Sequence, residues 1–144
     1  MATYNKFNVF CYDLGRGYHN LDAAGHTLKV YLSNVAPNAE TMAIKSSLAE
    51  FAGGTGYTAG GIDIQNRWIR ATTTSTCDTN NFDPVWTNSG GTAWPSFQYV
   101  VLDNDDQTSP AKPLIAWWDY GSALALGATE TFTVDFGSSV FTLA

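Results

Sequence analysis

The sequence has few of the side chains that usually carry catalysis, and it has few cations. Its 144 residues include two histidines, two cysteines and seven Lys and Arg residues against 13 Asp and Glu residues, a net charge of −6. Nucleic acids and anionic membranes attract proteins through Lys and Arg side chains. The composition therefore predicts that neither nucleic acid nor a membrane is a partner.

Long hydrophobic runs and a cysteine framework are also missing. No stretch approaches the roughly 20 apolar residues of a membrane-spanning helix, and residues 1–10 lack the apolar core of a secretory signal. Cys11 and Cys77 are too few for a disulfide scaffold. We interpret Cys11 as a small core residue of an aromatic strand. A Cys11–Cys77 bridge in an extracellular particle is the alternative.

Both histidines, His19 and His26, fall in an apparent turn between the first two predicted strands. They lack the close spacing of common zinc motifs, and no Gly-x-Ser-x-Gly motif provides a nucleophilic serine. Catalysis at neutral pH usually depends on a histidine, a carboxylate pair or an activated cysteine. We therefore expect no catalytic residue, no metal and no cofactor, and we predict that the chain is not an enzyme.

Two loops match ligand-binding motifs only in part. Residues 53–61 contain five glycines, but their spacing fits neither the dinucleotide fingerprint nor a phosphate-binding loop. Residues 103–106 begin like a calcium loop, yet Gln107 and Thr108 occupy the positions that require a ligand and a glycine. We interpret the acidic segment as a turn, with a calcium site of another type as the alternative.

Polar and apolar side chains alternate along much of the chain. In residues 131–136, Phe132, Val134 and Phe136 alternate with polar residues, which is typical of a half-buried strand. Further strands are predicted at 7–12, 28–32, 62–71, 85–87, 97–102, 114–118, 124–126 and 140–143. Turn-forming residues separate these runs. We therefore predict one mainly β domain over residues 1–144, an antiparallel, jelly-roll-like β-sandwich.

One short α-helix is predicted in the middle of the chain. Ile44, Leu48 and Phe51 lie at i, i+4 and i+7, and Gly53 occupies the position that commonly ends a helix. We expect this helix to cover one end of a sheet, because a single apolar stripe needs one partner surface.

Aromatic residues make up 14% of the chain and are candidates for packing or for binding. Trp117 and Trp118 are adjacent in a predicted strand and therefore point to opposite faces. We expect one of them in the core and the other at a subunit interface. A glycan-binding surface that uses Trp94, Trp117 or Trp118 is the alternative.

The negative charge is concentrated in the C-terminal half. Residues 73–144 carry eight acidic side chains and a single basic one, Lys112. An acidic surface of this kind either docks onto a basic protein partner or simply maintains solubility.

Several segments resemble a group of small virion proteins from the structural gene modules of tailed bacteriophages. They are residues 28–37 (LKVYLSNVAP), 56–61 (GYTAGG), 99–102 (YVVL), 113–121 (PLIAWWDYG) and 130–136 (ETFTVDF). The similarity follows the same order through nearly the whole chain. These motifs are structural, and none of them brings a catalytic residue with it.

The resemblance implies a capsid cement or decoration protein, a β-sandwich homotrimer on the outer surface of the capsid. The expected partners are the major capsid protein and further copies of this chain. The expected location is the capsid surface of the virion, after synthesis in the host cytoplasm. A tail or baseplate component is the structural alternative.

Four aromatic residues are our candidates for contacts with other subunits, namely Tyr4, Phe7, Trp117 and Trp118. Residues 1–6 show no apolar alternation beyond Tyr4. We interpret them either as an extended arm that reaches another subunit or as a frayed terminus.

Overall fold

The computed structural model describes residues 2–144, which form three antiparallel sheets and one α-helix. The sheets confirm the predicted mainly β class. The elements are β1 (Tyr4–Lys6), α1 (Asn8–Gly15), β2 (Leu28–Ser33), β3 (Ile62–Asp63), β4 (Arg67–Arg70), β5 (Ser75–Asp78), β6 (Val85–Thr87), β7 (Phe97–Asn104), β8 (Leu114–Leu124), β9 (Thr131–Thr133) and β10 (Phe141–Leu143). Across residues 2–144, no helix combines the length and the apolar character needed to cross a membrane.

The largest sheet has five strands in the order β1-β8-β7-β2-β3. Its central strand, β7, pairs with β2 from Leu28↔Asn104 to Ser33↔Tyr99 and with β8 on its other side. Alternate side chains of β7 therefore point to opposite faces of the sheet. On one face Leu102 enters a large hydrophobic cluster, and on the other Val101 enters a smaller one.

The larger cluster joins the five-stranded sheet to the two smaller sheets, β10-β5-β4 and β6-β9. Phe97 of β7 meets Phe132 of β9 with ring centroids 5.1 Å apart. Phe10 of α1 meets Phe141 of β10 at 5.4 Å. Both contacts are edge-to-face, an arrangement that stabilises aromatic pairs beyond the burial of their area. One continuous core therefore connects all three sheets.

The smaller cluster covers the opposite face of the five-stranded sheet. Much of its cover comes from residues 34–61, the long connection between β2 and β3, which we call the strap. The strap is tied to the sheet by a hydrogen bond from the Phe51 N–H to the Leu32 carbonyl, 2.6 Å long. The cluster consists of five side chains with 0% exposure, Phe7, Tyr31, Leu48, Val101 and Leu114.

The α-helix lies at Asn8–Gly15, so the strand predicted at 7–12 is wrong. Phe10 and Leu14 lie at i and i+4, the spacing of one helix face. Phe7 precedes the helix as its N-cap and packs in the smaller cluster. Phe10 and Leu14 pack in the larger cluster. The same stretch also fits a period of two through Phe7 and Val9, which is why the pattern was ambiguous.

The position of Cys11 differs from the prediction. This residue is exposed on α1 and is not a core residue of a strand. Cys77 is buried in β5, and burial raises the pKa of its thiol to about 12. Both cysteines are free thiols.

The helix predicted through Ile44, Leu48 and Phe51 is also wrong, because the segment contains only a 3-10 turn, Lys45–Ser47. Leu48 packs in the smaller cluster and Phe51 in the larger one. One face of a helix cannot serve two clusters on opposite faces of a sheet. The backbone after the turn is extended instead, which lets the two side chains separate.

Other predicted strands differ in length. The stretch 62–71 divides into β3 and β4, β9 ends at Thr133, and β8 continues to Leu124. Met1, the first residue of the predicted arm, lies outside the described residues. Residues Tyr4–Lys6 of that arm form β1, an edge strand paired with residues 116–118 of the same chain.

Three of the five glycines of the strap, Gly54, Gly56 and Gly61, lie where side chains would not fit. A Cβ atom on Gly61 would lie 2.4 Å from the Val30 carbonyl oxygen, and one on Gly54 would lie 2.2 Å from the Trp94 ring. Gly61 also has a φ of +85°, which residues with side chains rarely adopt. These glycines let the strap pack directly on β2 and Trp94.

We predict that Gly61→Ala lowers the free energy of unfolding by about 1–3 kcal/mol, because it adds a backbone clash to an unfavourable φ. Urea titration followed by tryptophan fluorescence measures this change. The matched control is Gly15→Ala at the end of α1, where an added Cβ meets nothing within 4 Å. The control should be neutral or stabilising by up to about 1 kcal/mol. Equal effects of the two substitutions would contradict the packing argument.

Candidate functional site

A surface cavity of about 500 Å³ lies between β1, β8, β9 and the segment that follows β9. A cavity of this size is within the usual range for binding sites. Five of the twelve residues that line it are aromatic. We call it the aromatic cavity, and its defining residues are Tyr4, Trp118, Tyr120, Phe132, Asp135 and Phe136.

A bulge in β8 shapes one wall of the aromatic cavity. Asp119 pairs with Tyr99 of β7, but the next pair is Leu124 with Phe97. Four residues of β8, 120–123, therefore lie opposite a single residue of β7. Bulges of this kind redirect side chains at sheet edges. The bulge leaves Tyr120 55% exposed beside the cavity.

The rings of the aromatic cavity are inclined to one another. Tyr4 and Trp118 have centroids 5.8 Å apart and an interplanar angle of 64°. Trp118 and Phe136 are 5.2 Å apart at 63°, and Tyr120 and Phe132 are 6.2 Å apart at 72°. The rings therefore form the walls of a cage and do not make one flat platform.

The aromatic cavity has one charged side chain in its lining, Asp135. One oxygen of this carboxylate accepts a hydrogen bond from the Gly137 N–H at 2.7 Å, and the side chain is exposed. Asp83 accepts a longer hydrogen bond from the Phe136 N–H, 3.4 Å. Burial raises the pKa of Tyr4 to about 12, so its hydroxyl stays neutral at physiological pH. The site is apolar and aromatic with a negative edge.

The structure divides the four predicted contact residues into two pairs. Tyr4 and Trp118 meet in the aromatic cavity. Phe7 and Trp117 meet on the other face of the sheet, with ring centroids 4.5 Å apart. Trp117 and Trp118 thus point to opposite faces, as their adjacency predicted. Phe7 has 0% exposure, which removes it from the candidates for surface contact.

Phe132, Phe136 and Asp135 were not predicted as site residues. The sequence placed Phe132 and Phe136 only on the apolar face of a predicted half-buried strand. Their position beside β1 depends on a sheet arrangement that no local pattern encodes. The apolar run around Trp118 gave a partial signal for Tyr120.

Trp94, a candidate for glycan stacking, lies inside the larger cluster. It is 3% exposed, and its indole N–H donates to the Thr55 carbonyl at 3.1 Å. Its ring packs against Phe51 and Tyr57. It therefore offers no free face on which a sugar could stack.

A buried ionic network holds the strap against the sheet. The Lys45 ammonium lies 3.4 Å from Asp103 Oδ1 and 3.9 Å from Glu50 Oε2, and it lies 4.4 Å from the centroid of the Tyr31 ring. Glu50 accepts hydrogen bonds from the Tyr57 hydroxyl at 2.7 Å and the Gly60 N–H at 2.8 Å. The network joins two parts of the strap, residues 45–50 and residues 57–60, to Asp103 of β7.

Asp103 is the most deeply buried member of this network, and its Oδ2 atom has no hydrogen-bond partner in residues 2–144. Burial raises the pKa of its carboxyl group to about 7, although the nearby Lys45 opposes the shift. The proton affinity of this group is therefore high enough for it to titrate near neutrality.

In the acidic segment 103–106, the carboxylates of Asp105 and Asp106 bind lysines and a backbone N–H of this chain. Asp105 forms ion pairs with Lys29 at 2.7 Å and with Lys112. Asp106 accepts a hydrogen bond from the Thr27 N–H at 2.7 Å. Within residues 2–144, no group of three or more His, Cys, Asp or Glu residues is arranged to hold a metal ion.

The two histidines meet at Asn104. The amide nitrogen of Asn104 lies 3.1 Å from His19 Nδ1, 2.9 Å from His26 Nδ1 and 3.2 Å from the Tyr18 carbonyl oxygen. An amide has two hydrogens, so it can satisfy two of these three acceptors at a time. Burial lowers the pKa of His19 to about 4. The arrangement anchors the loop that follows α1.

Comparisons of the chain with models of protein families, with curated proteins and with solved structures found no match.

We predict that Asp103→Asn changes the pH dependence of stability. The pKa of Asp103 is raised from 3.8 to about 7 in the folded chain, so its favourable contribution is present below 3.8 and is lost as the pH rises through 7. The unfolding free energy of the unmodified chain minus that of the variant should therefore fall between about pH 4 and about pH 8. Urea titrations across this range measure the difference.

His19→Gln provides a comparison of opposite sign. The pKa of His19 is lowered from 6.5 to about 4, so its contribution is present above 6.5 and is lost as the pH falls to about 4. The difference between the unmodified chain and this variant should rise with pH over that window. Parallel stability curves for either pair would refute the corresponding assignment.

Proposed function

We propose that this chain is a structural protein of a bacteriophage virion that binds the outer capsid surface and cements major capsid subunits. The proposal starts from the segments that we interpret as resembling small virion proteins of tailed bacteriophages, such as residues 28–37 and 113–121. The observation in the structure that supports it best is the exposed aromatic cavity. In this proposal the protein is made in the host cytoplasm and incorporated into the capsid surface.

The aromatic cavity supports a role in binding other proteins. Aromatic residues are enriched at interfaces, where large rings bury much area and lose little conformational freedom. Tyr120 is 55% exposed and Tyr4 is 36% exposed, so both rings are accessible in the single chain. A partner that fills the cavity would bury them.

The acidic C-terminal half supports the same role. Three of its eight carboxylates are paired with cations within residues 2–144, because Asp78 pairs with Arg67 and both Asp103 and Asp105 pair with lysines. The remaining acidic residues contribute to the electrostatic field of the surface. A field of one sign directs association toward a basic partner.

A cement protein needs no catalytic chemistry. It binds the assembled shell better than loose subunits, and this differential affinity stabilises the shell by mass action. A homotrimer strengthens the effect, because three weak contacts engage together. We propose that the chain forms such a trimer. We also propose that its three sheets belong to a jelly-roll-like β-sandwich.

A tail or baseplate protein would use the same kind of surface and differs in location. A glycan-binding module is less favoured by the geometry, because the rings of Trp118 and Phe136 are inclined at 63°. Sugars stack best on a flat, exposed aromatic face. The inclined rings suit a side chain that enters between them.

The first test is location. Mass spectrometry of purified virions should detect this chain, and a cryo-EM map should place it on the outer capsid at junctions between major capsid subunits. Density in the tail or baseplate would replace the capsid assignment by the tail assignment. Absence of the chain from purified virions would end the proposal.

The second test is oligomeric state. Size-exclusion chromatography with light scattering should give about three times the mass of the 15.6 kDa chain. A strictly monomeric protein would contradict the homotrimer. Tyr120→Ala should reduce incorporation into particles, while Tyr12→Ala on α1, where Tyr12 is 63% exposed, should not.

A further inference from the structure

The aromatic cavity contains five aromatic rings but no cation. Elsewhere in the chain, cations do lie over aromatic rings. The Arg16 guanidinium lies 5.5 Å from the Tyr12 ring and 5.3 Å from the Tyr18 ring, and the Lys45 ammonium lies 4.4 Å from the Tyr31 ring. No lysine or arginine of residues 2–144 takes this position in the aromatic cavity.

The charge of the cavity also favours a cation as its occupant. Asp135 is the one charged side chain in the lining, and Asp83 adds a second carboxylate beside Phe136. Neither carboxylate forms a salt bridge within residues 2–144. A cation in the cavity would therefore lie among aromatic rings and beside a carboxylate that no other cation neutralises.

The geometry points to the aromatic cavity as the docking site for an arginine or lysine side chain on an exposed segment of a protein partner. The inclined rings surround the aliphatic stem and the charged group, and Asp135 neutralises the charge at the open edge. This inference rests on the proposed function, since it assigns the surface and the chemistry by which the partner binds. Its test nevertheless requires no virion.

The volume and the shape of the site fit this occupant. A space of about 500 Å³ exceeds what one side chain fills, so residues beside the cation also enter the cavity. An apolar side chain would contact the rings but would gain nothing from Asp135. An acidic side chain would be repelled by both carboxylates.

The experiment is a titration of the isotope-labelled chain with a capped Thr-Arg-Thr-Arg-Thr peptide. Binding is followed by the NMR signal of the Trp118 indole N–H, assigned with Trp118→Phe. A peptide with norleucine in place of both arginines is the neutral comparison. We expect the arginine peptide to shift the Trp118 signal and to bind about tenfold more tightly than the norleucine peptide.

Paired variants separate the cavity from general attraction to an acidic protein. Asp135→Asn should weaken binding of the arginine peptide about threefold to tenfold, because it removes the carboxylate and keeps the acceptor for Gly137. Asp63→Asn removes an exposed charge on β3, at the opposite edge of the sheet, and should have little effect. Tyr120→Ala should weaken binding, whereas Tyr12→Ala should not.

Equal affinity of the two peptides would overturn the proposal in favour of an apolar occupant. Equal effects of Asp135→Asn and Asp63→Asn would reduce the binding to non-specific attraction. Shifts of Trp118 with maltohexaose but not with the arginine peptide would assign the cavity to glycans. If the peptide does not bind but the chain is found in virions, only the docking site is wrong. If the peptide binds but the chain is absent from virions, only the cement role fails.

Discussion

The fold depends on the pairing of β7 with β2 and β8, which covers the backbone of β7 on both sides. From Val100 to Asn104, the side chains of β7 are also buried on both faces of the sheet. Val100 and Leu102 then require cover on one face, and Val101 requires it on the other. The smaller sheets, with Phe10 and Leu14 of α1, supply the first cover, while the strap, Phe7 and Val9 supply the second. The positions of the aromatic cavity and of the ionic network both follow from this arrangement.

The second face is held by a mixture of apolar and ionic contacts. The strap contains no strand or α-helix, only the 3-10 turn Lys45–Ser47, so long-range contacts are needed to fix its position on the sheet. Lys45 and Asp103 provide one such contact across 58 positions of sequence. Burying charges carries a desolvation cost, and the network favours one strap position over others because only that position pairs them.

The mainly β class and the central strands could be predicted, because their apolar runs and alternating pattern fit strands and do not fit a helix. The helix could not be placed, since residues 7–14 satisfy both a helical and a strand period. Tyr4 and Trp118 were found by their residue type alone. The aromatic cavity itself could not be predicted, because it forms where β1, β8 and β9, which are distant in sequence, come together. The same holds for the meeting of both histidines at Asn104.

The edge strand β1 has a consequence for how the cavity behaves over time. It is three residues long and pairs with one neighbour, so it belongs to the least cooperative part of the sheet. Yet Tyr4, one wall of the cavity, is carried by this strand. Local opening at the N-terminal edge would widen the site without disturbing β7 or the core. Amide hydrogens of β1 should therefore exchange with solvent sooner than those of β2, and an occupant that contacts Tyr4 would slow that exchange.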